Sequence, residues 1–215
     1  HVRKVMTNYL PNDEESKHYA RLLQWDNIYY QPPTQEYLAP KTTVRVGLVQ
    51  WQMRSYKTLD DLFEQVEFFV DAVSDYKSDF VLFPEYFNAP LMSKYNDKGE
   101  SQAIRGLAQY TEEIRDRFIN LAISYNINII TGSMPLIKED GLLYNAGFLC
   151  RRDGTYEMYE KLHVTPDEIK SWGLSGGKQL KTFETDCAKI GILICYDVEF
   201  PELSRLMADQ GMQIL

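Results

Sequence analysis

The stretch Lys189 to Glu202, KIGILICYDVEFPE, constrains the fold more than any other, because a strand signal, a helix start and a candidate nucleophile fall on the same residues. Ile190 to Ile194 form a short β-branched apolar run, too short for a helix, which predicts a buried strand. Glu199 and Glu202 place negative charge where a helix N-terminus favours it, and Pro201 suits a first helical turn. The chain is therefore expected to pass from strand to helix within a few residues, with Cys195 at the junction. Backbone N–H groups and the positive end of a helix dipole at that point would lower the thiol pKa and favour the thiolate. A free cysteine after an apolar strand is otherwise a small buried hydrophobe. That is the reading for Cys150 and Cys187, which lie at no such junction.

The 215 residues are 44% hydrophobic and 25% charged, enough for one globular domain with a substantial core. A formal net charge of −8, a pI of about 5.0 and the lack of any basic run argue against nucleic acid or an anionic membrane as a partner. No stretch approaches the ~20 apolar residues of a membrane span, and no signal-peptide pattern opens the chain. Three cysteines without zinc-ligand spacing fit reduced thiols in a cytoplasmic protein. The chain opens on His1 rather than Met, and Met212 to Leu215 begin an apolar run with no turn after it. Part of the fold is accordingly expected beyond Leu215.

Residues 1–42 are rich in Tyr, Asn and Gln, carry Pro32, Pro33 and Pro40 and show no sustained period, which reads as a linker or docking arm. The domain of residues 43–215 opens with Val44, Val46 and Leu48 alternating with Arg45 and Gly47, a strand signal. Thr58 and Asp61 make a capping box for a helix whose apolar face is Leu59, Leu62, Phe63, Val66, Phe69, Val70 and Val73. Phe80 to Phe83 is the next strand, closed by Pro84 and Glu85. The segment Asn88 to Gly106 reads as loop. Thr111 is expected to cap a second helix, with Ile114, Phe118, Leu121 and Ala122 on its apolar stripe.

Ile127 to Thr131 reads as a strand, and Asp153-Gly154 as a hairpin turn between Leu142–Cys150 and Thr155–Leu162. Along the second arm, alternation puts Glu157, Tyr159, Lys161 and His163 on one face. After the Cys195 strand, Leu203, Leu206 and Met207 form a helix face that Gly211 can end. Strands alternating with helices, plus one hairpin, predict an α/β architecture with a mixed sheet. Ligands in such folds gather at the carboxyl ends of strands, where Glu85 and Cys195 lie.

Three segments carry a resemblance. Phe83-Pro84-Glu85, then Tyr159-Glu160-Lys161-Leu162-His163, then Cys195-Tyr196-Asp197 with Phe200-Pro201-Glu202 resemble the signature segments of the nitrilase superfamily, the carbon–nitrogen hydrolases. The resemblance spans Val44 to Leu215 and implies an α-β-β-α sandwich whose subunits pair as homodimers or higher homo-oligomers. It implies a Glu-Lys-Cys triad: Cys195 as nucleophile, Glu85 as general base and acid, and Lys161 as the cation beside the oxyanion, with the Tyr196 N–H as second donor. Such a site would act on a small-molecule amide, nitrile or carbamoyl compound through a thioester, and would need neither metal nor organic cofactor. Family members often carry a second glutamate that positions substrate, and Glu168 is the candidate for it. Glu199 departs from the family, many of whose members have arginine there.

Other readings stand beside this one. His163 invites a Cys-His mechanism, although no acid is obviously placed to orient it. Tyr86 and Trp172 could line a pocket or serve as plain packing. A silent interaction or regulatory domain that keeps the fold is the alternative from a different class. The arm supports it, because it resembles the connector in bacterial proteins where an acetyltransferase domain precedes a nitrilase-type domain.

Overall fold

Thr58 opens the first helix as expected: its hydroxyl accepts the Asp61 N–H at 3.0 Å, and the Asp61 carboxylate accepts the Thr58 N–H at 3.0 Å. The computed structural model describes residues 43–215, so the arm expected over residues 1–42 lies outside the described residues. Helix α1 (Leu59–Asp75) buries Leu62, Phe63, Val66 and Val70. Strands β1 (Val46–Leu48), β2 (Phe80–Leu82) and β3 (Asn128–Ile130) run parallel and side by side. Strand β5 (Leu143–Cys150) joins β3 antiparallel, and β4 (Met134–Ile137) pairs with the other half of the same edge of β5. On its opposite edge, β5 meets β6 (Tyr156–Glu160) antiparallel and β7 (Leu174–Ser175) parallel. The Asp153-Gly154 hairpin is therefore as expected, with Gly154 at φ +87°.

Side-chain alternation divides the core into two layers. On one face, α1 and α3 (Thr111–Ser124) pack Leu62, Val66, Ile114 and Phe118 against Val81, Phe83, Ile129 and Phe148. On the other face, Phe80, Ile130, Leu149 and Tyr159 meet Phe183 and Ile190 of a second, two-stranded sheet, together with Ile194 just beyond it. That sheet is β8 (Thr182–Glu184) antiparallel to β9 (Lys189–Gly191), and Ile214 adds a parallel bridge to Ile190. Helix α4 (Pro201–Asp209) lies on the far side. A Cβ at Gly191 would meet the Met207 sulfur at 2.7 Å, which shows how closely helix and strand approach. Helix, sheet, sheet and helix thus follow one another, the mixed α/β sandwich the sequence predicts.

Several local expectations are corrected. Val46 and Leu48 form the expected strand but are 39% and 73% exposed, because the core of the second sheet reaches Phe80 and Ile130 but not the edge strand β1. Gly47, between them, presses instead on Val73 of α1. The Ile190–Ile194 strand stops at Gly191, and the chain continues irregularly to Cys195. The Asn88–Gly106 segment is not loop: it holds a 3-10 helix (Ala89–Tyr95) and most of α2 (Glu100–Ala108). Thr111 is the first residue of α3 rather than its cap. Its hydroxyl donates to the Pro135 carbonyl at 2.6 Å and so ties α3 to β4. Of the α4 face, Met207 is buried while Leu206 is 52% exposed.

Candidate active site

Glu85 leaves the carboxyl end of β2 through Phe83-Pro84 and forms a parallel bridge to Ser133. Tyr86 follows at φ +53°, its N–H donating to the Ser133 carbonyl at 2.6 Å. The close approach requires Gly132, at φ +69°, because a Cβ there would lie 2.1 Å from the Pro84 oxygen. Lys161 follows β6 directly, its backbone N–H held by the Asn145 carbonyl at 2.9 Å. Cys195 opens a 3-10 turn (Cys195–Glu199) at φ +47°, a strained conformation for a non-glycine residue and one that concentrates at functional sites. Its side chain is exposed, whereas Cys150 is buried and Cys187 half-buried.

Glu85, Lys161 and Cys195 converge. Lys161 Nζ lies 2.9 Å from Glu85 Oε1 and 2.8 Å from Glu168 Oε1, and the Lys161 side chain is 1% exposed. Cys195 lies close enough to Glu85 and Lys161 for both charges to act on its thiol. Glu168 belongs to a π-helical turn (Glu168–Trp172) that ends at Gly173 in the left-handed region. Its second oxygen accepts the Thr165 N–H at 2.8 Å, and Tyr86 donates its hydroxyl to the first at 3.0 Å. Glu168 is thus brought into contact with both Lys161 and Tyr86. Tyr86 also meets Trp172 edge to face, with ring centroids 5.5 Å apart.

The electrostatics correct one expectation. The Cys195 thiol pKa is raised above its ordinary 9.0, not lowered: burial acts first and the Glu85 charge second, and together they outweigh the Lys161 ammonium and the Tyr196 N–H. The resting group is a thiol beside a carboxylate. Burial opposes the Lys161 charge, but hydrogen bonds to Glu168 and Glu85 more than offset it and hold the ammonium pKa above 10.5. Burial likewise works to raise the Glu168 pKa. The Lys161, Thr165 and Tyr86 donors win, and hold it below 4.5.

His163 does have an acid. Its Nδ1 lies 3.1 Å from Asp197 Oδ1, and the ring stacks on Phe200 with centroids 3.8 Å apart. Asp197, 1% exposed, also accepts the N–H groups of Leu162 (3.2 Å), His163 (2.7 Å) and Ile194 (3.3 Å). Its carboxylate fastens the segment after Lys161 to the residue before Cys195, a role that sequence reading missed. Asn145 was missed as well: its Nδ2 donates to Glu85 Oε1 at 2.7 Å. A lone asparagine inside the apolar run Leu142–Cys150 was the available signal. Glu199 is exposed beside the site. Among the described residues, no group of three or more His, Cys, Asp or Glu is arranged to hold a metal ion. No helix among them is long and apolar enough to cross a membrane.

Comparison with known proteins agrees with this architecture. The family model for carbon–nitrogen hydrolases matches residues 45–215. The chain is 45% identical over its full length to the probable hydrolase YhcX of Bacillus subtilis, covering 42% of that protein. It is 32% identical over 187 residues to the omega-amidase NIT2 of Homo sapiens, covering 81% of this chain and 62% of that one. Among solved structures, Nit3 of Saccharomyces cerevisiae, a member of branch 10 of the nitrilase superfamily, superposes with a TM-score of 0.66 and 26% identity. That match covers 79% of this chain and 61% of Nit3. An amidase from Nesterenkonia sp. shares the fold at a TM-score of 0.66 and 22% identity, over 80% of this chain and 63% of that one. The chain therefore spans between 42% and 63% of the length of these relatives.

Proposed function

The chain belongs to the carbon–nitrogen hydrolase family, and from that premise we propose that it hydrolyses a small non-peptide amide through a thioester on Cys195. The observation that carries this reading is that one carboxylate, Glu85, is hydrogen-bonded to a buried ammonium and lies within electrostatic reach of the exposed thiol. A protonated nucleophile beside a base needs no prior ionisation.

In the proposed sequence, Glu85 takes the thiol proton as sulfur attacks the amide carbon, and the carbonyl electron pair moves to oxygen. Lys161 Nζ and the Tyr196 N–H stabilise that oxyanion. Glu85 returns the proton to nitrogen, the C–N bond breaks and ammonia or an amine leaves. A water molecule then attacks the thioester and gives its proton to Glu85. Collapse breaks the C–S bond, releases the acid and restores the thiol. Glu168 keeps Lys161 oriented and charged, and together with Tyr86 and Trp172 forms one wall for substrate. The same contacts favour turnover over a silent domain, because an ion-paired lysine buried against two carboxylates is costly to keep without a use.

The test is incubation of the purified protein with small primary amides, omega-amides first given the name of the human relative, with mass spectrometry on Cys195. An acyl adduct on that residue, lost in Cys195→Ala together with turnover, is expected. A Cys195→Ala protein that hydrolyses as fast as the parent sinks the proposal.

A further inference from the structure

Asn145 is fully buried in the middle of β5, where an amide side chain costs free energy unless its polar atoms are used. Its Nδ2 donates to Glu85 Oε1 at 2.7 Å, the same oxygen that Lys161 Nζ reaches at 2.9 Å. Its Oδ1 has no hydrogen-bond partner among the described residues, so donation to Glu85 is the use the structure makes of this side chain. Strand register holds it there. Asn145 pairs with Pro135 of β4 on one edge, and its carbonyl accepts the Lys161 N–H at 2.9 Å on the other. One residue thus fixes the backbone of the lysine and the side chain of the glutamate.

We propose that Asn145 is a positioning residue for the Glu85 carboxylate: it donates to Oε1 alongside Lys161, and so turns Oε2 toward the Cys195 thiol and keeps the group ready to accept a proton. Two donors on one oxygen fix the rotation of a carboxylate, which one donor leaves free about the hydrogen bond. The other groups facing Glu85 are the Lys161 ammonium, the Cys195 thiol and the Tyr86 hydroxyl, with Glu168 behind Lys161. None of them duplicates a neutral donor held rigidly by a strand. The inference rests on the reading of Glu85 as the base.

The experiment compares Asn145→Asp and Asn145→Ala with the parent on an amide the protein turns over, with Glu85→Gln as a separate control. Aspartate keeps the shape but sets an acceptor against Glu85, so two carboxyls compete for one proton. The expected result is a loss of about 10- to 100-fold in kcat near neutral pH with KM changed far less, the scale of a misplaced catalytic group. The acid limb of the kcat profile should also move to higher pH by about one unit or more. Asn145→Ala should move the limb the same way by less, and circular dichroism shows that each variant is folded. A merely structural role would lower activity without moving the limb. Folded variants with the parent's kcat and acid limb overturn the inference while leaving the Glu85 reading intact if Glu85→Gln is inactive. A Glu85→Gln protein as fast as the parent overturns both.

Discussion

Replacing Lys161 by methionine removes a cation that sits 2.9 and 2.8 Å from two carboxylates in a side chain 1% exposed. Methionine fills a similar volume and adapts to irregular gaps, so lost charge rather than a cavity dominates the outcome. Without Lys161, Glu85 and Glu168 share a partly buried site with no cation between them. Taking one partner from a buried pair costs about 3–5 kcal/mol, a large share of the roughly 5–15 kcal/mol that a folded domain has in hand. With a urea slope of about 2 kcal/mol/M, the midpoint should fall by about 1.5–2.5 M.

The pH dependence follows from the two directions of shift. Glu168 is held below 4.5, so its contribution is complete above that value and fades as pH falls through its lower folded pKa. Lys161 is held above 10.5, so its contribution is complete below that value and fades as pH rises through its higher folded pKa. The gap between parent and Lys161→Met should therefore be widest between about pH 5 and 10 and narrow in acid, where the carboxylates of the variant take up protons. Urea unfolding followed by tryptophan fluorescence at neutral and acid pH measures it. A variant within about 1 kcal/mol of the parent at neutral pH, the range of an exposed pair, would refute the reasoning. So would a gap that stays constant into acid.

Cysteine reactivity gives a second check. Since burial and the Glu85 charge raise the Cys195 pKa above 9.0, iodoacetamide should label it faster and faster as pH climbs through that value, and Glu85→Gln should move the climb to lower pH. A rate that is flat from about pH 6 to 8, as a preformed thiolate gives, contradicts this. Cys187 and Cys150, pushed up by burial to about 11 and about 12, should label more slowly throughout. Asp197→Ala should cost about 3 kcal/mol or more, because it leaves three backbone N–H groups without their acceptor. Urea unfolding in which this variant matches the parent would show that the carboxylate is no fastening.

How much of the site was readable follows from the range of each interaction. The Thr58–Asp61 box and the apolar face of α1 are local, fixed by side chains three and four residues apart, and the sequence shows them directly. The Asp153-Gly154 hairpin is equally local. Strand β4 escaped because four residues containing Pro135 carry too little period, and it forms only because β5 offers an edge to pair with. The segment holding α2 reads as loop in sequence, with Gly99 before it and Gly106 within it, yet Ala103, Ile104 and Leu107 bury one face. Thr111 reads as a cap because capping is the common local use of such a residue. A carbonyl from Pro135, distant in sequence, took its hydroxyl instead.

The main alternation of strands and helices, the chemical types at positions 85, 161 and 195, and the family to which they belong were present in the linear chain, because periodicity and motif spacing are properties of neighbours. Folding alone decided that Asn145 and Asp197 join those three, that the candidates Glu168 and Tyr86 meet each other and Lys161, and that Cys195 rests as a thiol. A hydrogen bond or a shifted pKa depends on charge and burial contributed through space. Here those contributions come from segments tens of residues apart, brought together by strand register that no single segment encodes.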